Sequence, residues 1–101
     1  MKPPRLSTDL EDSASVPYFA WDDPLTVGEI RDRLRSGSEL ERNRWLGRIL
    51  REARDTDVWR FTTPRDVASR WTAIEPYLGR RRAFWTYMLD AWRRQGLLDA
   101  G

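Results

Sequence analysis

Apolar residues recur at helical spacing through most of the chain, and the runs open on start signals. Thr26-Val27-Gly28-Glu29 reads as a capping box, in which the threonine hydroxyl and the glutamate carboxylate each accept a backbone N–H that a first helical turn leaves free. Val27, Ile30 and Leu34 follow as a narrow stripe, and Ser36-Gly37-Ser38 closes the helix. Ser38-Glu39-Leu40-Glu41 repeats the box. On the helix it opens, Trp45, Leu46, Ile49, Leu50 and Ala53 fall within an arc of about 140°, with Arg44, Arg48, Arg51 and Arg54 opposite.

Asp55-Thr56-Asp57 breaks this pattern, and Val58-Trp59-Arg60-Phe61 alternates as a short strand or extended connector would. Thr63-Pro64-Arg65-Asp66 is a third start, with proline at the first helical position, where its missing donor costs nothing. Val67, Trp71, Ile74 and Leu78 repeat at helical spacing, and Pro76 predicts a kink or break near Ile74. Gly79 separates this run from a last helix over residues 80–95, which should end at Gly96 with Leu97 as its apolar follower.

The residues before Thr26 show no such period. Residues 1–15 combine two prolines, three serines, a threonine and three acids, and predict a disordered acidic tail. Residues 16–25 predict an extended aromatic arm, with Phe19 and Trp21 on one side and Tyr18 on the other. The expected architecture is all-α: a small bundle of about four helices over residues 26–98 with an extended N-terminal arm. At 101 residues there is room for one domain. No run approaches the roughly 20 apolar residues of a membrane span. No secretory pattern opens the chain, and no cysteine occurs, so a cytoplasmic protein is expected.

Composition changes the picture in one respect. The chain has six tryptophans (Trp21, Trp45, Trp59, Trp71, Trp85, Trp92) but neither histidine nor cysteine. Tryptophan is enriched where surfaces bury against partners. Histidine and cysteine are the usual neutral-pH acid–base groups, nucleophiles and metal ligands. Asp22-Asp23 and Asp55/Asp57 are the only close acidic pairs outside helices and the tail, and both sit where aspartate serves turns. No phosphate loop, metal-ligand spacing or activated nucleophile is present, so no enzyme, cofactor or metal site is expected.

The last helix is the widest apolar face: Phe84, Trp85, Tyr87, Met88, Leu89, Ala91 and Trp92 cover about 200° of its circumference, twice what a surface helix needs. Either the helix is sandwiched inside the bundle, or Trp85 and Leu89 form an exposed patch. Arg80-Arg81-Arg82 and Arg93-Arg94 bracket it. Seventeen of the eighteen basic residues are arginine. Residues 1–25 carry two positive and five negative charges, and residues 26–101 carry sixteen and eleven, so the balances are −3 and +5. A G- and C-rich coding bias gives the same arginine excess without any function. A solvated face and helix-dipole complementation account for the bracketing runs equally well. An acidic protein surface and a nucleic acid are the two partners such an arrangement fits.

Three stretches carry a family resemblance. They are Tyr18-Phe-Ala-Trp-Asp-Asp-Pro-Leu-Thr26, Leu46-Gly-Arg-Ile-Leu-Arg-Glu-Ala-Arg-Asp-Thr-Asp-Val-Trp-Arg-Phe-Thr-Thr-Pro64 and Leu78-Gly-Arg-Arg-Arg-Ala-Phe-Trp-Thr-Tyr-Met-Leu89. Together they span roughly residues 17–98 and look like a family of small uncharacterised bacterial proteins. These resemble the antitoxin-like partners encoded beside nucleotidyltransferase toxins of the abortive-infection type. The resemblance implies a chain that binds and restrains a transferase, and it supplies no residue signature for the contact surface. The physical reading therefore supplies the candidates: Tyr18, Phe19, Trp21, Trp59, Arg80, Arg81, Arg82, Trp85 and Leu89 as partner-binding residues, with Trp45, Trp71 and Trp92 in the core. The alternative is a small nucleic-acid-binding regulator that uses Arg80, Arg81, Arg82 and the arginine face of the second helix.

Overall fold

Both capping boxes form as their spacing requires in the computed structural model, which describes residues 5–98. Helix α1 runs Val27–Ser36 and helix α2 Glu39–Glu52. Thr26 Oγ1 accepts from Glu29 N–H at 3.1 Å while Glu29 accepts from Thr26 N–H at 3.0 Å. Ser38 and Glu41 repeat the exchange ahead of α2. The two free donors left at the start of α1 go to the N-terminal segment: Val27 N–H donates to Ser15 O and Gly28 N–H to Ser13 O. Every orphan N–H of that helix end is thereby satisfied.

These bonds correct the expectation of a disordered tail from Arg5 onward; residues 1–4 lie outside the described residues. Leu6–Ser7 (β1) pairs in parallel with Val16–Pro17 (β2), and Leu10 is 2% exposed in the core. The connection holds its shape through short polar turns, with Asp9 and Asp12 carboxylates accepting the N–H groups of Glu11 and Ala14. Composition predicts disorder here because a single apolar residue anchors the segment. The arm is also not extended beyond Pro17: Tyr18–Ala20 is a 3-10 turn that buries Phe19 and Ala20 and turns Trp21 outward. Phe19 and Trp21 therefore do not share a side.

The hub of the bundle is α2, which packs against α1, the Tyr18–Ala20 turn and the segments that follow it. Its buried face is Trp45, Leu46, Gly47, Ile49 and Leu50. Gly47 admits the next layer, because a Cβ there would stand 2.6 Å from Tyr77 Cβ. Asp55–Val58 is one helical turn (α3) that buries Val58 completely, and the chain continues through Trp59–Phe61 as turn, not as the strand or extended connector expected of Val58–Phe61. The predicted third helix is segmented into α4 (Pro64–Ser69), α5 (Trp71–Ile74) and a 3-10 turn at Glu75–Tyr77. Pro76 explains the last change of geometry. At Arg70, where the helix breaks, the guanidinium donates to Glu39 and Asn43 on α2, each at 3.2 Å.

A 3-10 turn at Gly79–Arg81 leads into helix α6, Arg82–Arg94. Gly96 closes it at φ 72, where Leu97 N–H reaches Trp92 O and Gly96 N–H reaches Arg93 O. This is the Schellman arrangement its sequence predicts, although Leu98 and not Leu97 packs on the core. The architecture is all-α apart from the two-residue ladder.

Candidate protein interface

The wide apolar face of α6 is used unevenly. Trp85, Leu89 and Trp92 point into the core, Phe84 and Met88 are half-buried, and Tyr87, about 160° around the helix from that centre, is exposed. Trp85 is 1% exposed and donates its indole N–H to Leu50 O at 2.8 Å. The exposed patch expected of Trp85 and Leu89 is therefore corrected, because both are interior residues. Phe19 is interior too, edge-on to Phe61 at 5.4 Å.

Trp59, directly after α3, completes the aromatic cluster from outside. Its ring lies edge-to-face on Trp85 at 5.8 Å and on Trp92 at 5.6 Å, with 38% of the residue exposed. Trp59, Thr62, Thr63, Pro64, Met88 and Trp92 line an open groove of about 370 Å³. The threonine hydroxyls are already engaged: Thr62 Oγ1 donates to Asp66 Oδ2 and Thr63 Oγ1 accepts from Asp66 N–H. The Thr63 hydroxyl keeps its proton free to donate. Arg60, Arg65 and Arg93 directly follow lining residues in the chain, while no acid directly precedes or follows one. Arg60 is held by Glu11 and Asp57. Among the described residues, no ion pair engages Arg65 or Arg93.

Tyr18 binds the arm to the body. Its hydroxyl donates to Asp57 Oδ2 at 2.6 Å and accepts from Arg54 N–H at 2.7 Å. Burial raises its pKa above the ordinary tyrosine value, and the bond to Asp57 acts the same way against the Arg54 N–H. Tyr18 is thus a clamp more than a free contact residue. Trp21 is 59% exposed, on a loop beside Asp22 and Asp23. The Arg48 guanidinium bonds both carboxylate oxygens of Asp22 and holds that carboxyl below its usual range.

The arginine candidates are largely countered. Arg81 pairs with Asp55 and Arg82 with Glu75, leaving Arg80 exposed with no ion pair among the described residues. On α2, Arg44, Arg48 and Arg51 line a second cleft of about 200 Å³ with Trp45, Tyr77 and Asp23. There Arg48 is tied to Asp22, and Arg51 to Glu52 and the Tyr77 carbonyl.

Of the nine candidates, only Trp59 lines the aromatic groove; Trp21, Tyr18 and the arginines lie elsewhere. Sequence reasoning missed Thr62, Thr63, Pro64 and Met88, and placed Trp92 only in the core. The signal available was the i, i+4 pair Met88/Trp92 in the middle of an overwide face. Among the described residues, no cluster of histidine, cysteine or acids is arranged to hold a metal ion, and no helix is long and apolar enough to cross a membrane. The chain matches no protein-family model, no curated protein and no solved structure.

Proposed function

We propose that this protein is a non-catalytic protein-binding module whose contact surface is the groove at Trp59, Met88 and Trp92. The observation that carries this reading is the position of Trp59: a ring set edge-to-face against the core cluster and partly open to solvent. A preset, well-supported tryptophan in an apolar depression has the anatomy of an interface hot spot. The resemblance of residues 17–98 to antitoxin-like proteins makes a nucleotidyltransferase toxin, encoded beside this chain, the partner to test. Binding there would restrain the enzyme by occupying its surface, with no chemistry from this chain.

The test is co-expression with the product of the adjacent gene. A stoichiometric complex on size exclusion, with transferase activity suppressed in it, is the expected result. Two separate peaks and an unrestrained enzyme would sink the reading. Nucleic acid is the weaker partner, because Arg48, Arg51, Arg81 and Arg82 already neutralise acids of the same chain. Steeply salt-dependent binding to an oligonucleotide would reverse that order.

A further inference from the structure

We infer that the groove at Trp59, Met88 and Trp92 takes a proline-rich, extended segment of the partner protein. This rests on the groove being the protein-binding surface proposed above, and it names the chemistry recognised there. The six lining residues bring two indoles, the Pro64 ring, the Met88 thioether and two threonines. The Trp59 and Trp92 rings meet at 66° with centroids 5.6 Å apart. An apolar wall alone would accept any apolar group, so the choice of occupant falls to the polar atoms set into it.

Those atoms include donors without acceptors. Trp85, in the same aromatic cluster, gives its indole N–H to Leu50 O. Among the described residues the N–H groups of Trp59 and Trp92 meet no acceptor, and Thr63 Oγ1, which accepts from Asp66 N–H, keeps its own proton. Trp92 is only 7% exposed, yet among the described residues the one sealed-in side-chain donor without a partner is Arg42 Nε. The Trp92 N–H therefore reaches the surface at the small exposed part of a residue that lines the groove.

A partner that covers these donors without offering acceptors leaves them unpaired, which costs more than a hydrogen bond gains. Occupants differ on this point. An apolar side chain brings no acceptor, and a docked helix uses its carbonyls within its own backbone. A polyproline II segment has no internal hydrogen bonds, so its carbonyls are free to accept, and such segments dock in aromatic-lined grooves. Each proline also lacks an N–H, so it carries no backbone donor into an apolar site. The complementarity is one of partial charge, with N–H and O–H hydrogens in the groove facing carbonyl oxygens on the ligand.

Titration of the full chain with an end-blocked decaproline peptide, followed by the indole N–H resonances, tests this. A glycine–serine peptide and an amphipathic helical peptide of equal length serve as controls. Decaproline should shift the Trp59 and Trp92 signals more than those of any other tryptophan, and neither control should. Trp59→Phe keeps a ring but loses the donor, and should weaken binding several-fold, about the worth of one net hydrogen bond. No shift at millimolar decaproline, an equal response to either control, or unchanged binding by Trp59→Phe would overturn the inference. Where the variant fails to fold, the wild-type shift pattern decides alone. A chain that ignores decaproline but loses the adjacent gene product on Trp59→Ala removes the proline-rich ligand alone. One that binds decaproline in the groove but ignores that product removes the transferase partner alone.

Discussion

Trp59 and Trp85 lie edge-to-face 5.8 Å apart, yet one belongs to the core and the other to the surface. Trp85 projects from the first turn of α6 towards α2, where its indole N–H finds the Leu50 carbonyl. Trp59 follows a single helical turn, rests its edge against the same cluster and leaves a flank in solvent. The contrast teaches that the width of an apolar helix face does not say which part of it is free. In this molecule the surplus of α6 is absorbed inward by Trp85, Leu89 and Trp92. The open surface is supplied by the irregular segment between α3 and α4.

The contrast is broken most severely from the inside. Trp85→Ala removes a fully buried ring and leaves the Leu50 carbonyl without its donor, so about 3–5 kcal/mol of stability should be lost. Urea unfolding would show the midpoint collapse; a loss under 1 kcal/mol would mean the ring is not interior. A smaller loss is expected at the arm. Tyr18→Phe removes the bonds to Asp57 and to Arg54 N–H and should cost roughly 1–2 kcal/mol.

That residue also sets an alkaline limit. Its folded pKa is raised above 10.0, so its contribution is complete below the unfolded value and is lost as pH rises through the folded one. Wild-type stability should therefore fall above about pH 10, and part of that fall should vanish in Tyr18→Phe.

On the outside the stability effect shrinks. Trp59→Ala should cost less than Trp85→Ala, roughly 1–3 kcal/mol for its two edge contacts and the part of its area that is buried, and leave the thermal transition cooperative. A loss as large as that of Trp85→Ala would erase the distinction between the two rings. Smallest of all is the exposed pair Arg48–Asp22. Asp22→Asn should change stability by less than about 1 kcal/mol. The Asp22 carboxyl is depressed, so what it contributes is present above its unfolded value of about 3.8 and disappears as pH falls through the folded one. Acid melts of the two proteins should converge there.

The parts of the fold that were legible in the sequence are those decided by neighbouring residues. Thr26/Glu29, Ser38/Glu41, Thr63-Pro64 and Gly96-Leu97 each satisfy backbone groups within a few positions, and all four form as their spacing predicts. What stayed hidden is decided across the chain. Leu10 orders residues 5–15 by reaching the core, and Ser13 and Ser15 carbonyls complete the cap of a helix that begins at Val27. Where the third helix breaks, Arg70 reaches α2. The same division runs through the candidate site. Trp59 was visible as a ring outside any apolar stripe, whereas the groove beside it depends on how α4 meets α6, which no periodicity records.

The central claim is that the groove at Trp59 is where this protein meets its partner. Titration calorimetry of the adjacent gene product into wild type and Trp59→Ala tests it most directly. A hot-spot loss of about 2 kcal/mol or more corresponds to affinity weakened at least roughly 30-fold, with the melting transition still cooperative. Equal affinity in a folded Trp59→Ala chain would contradict the claim.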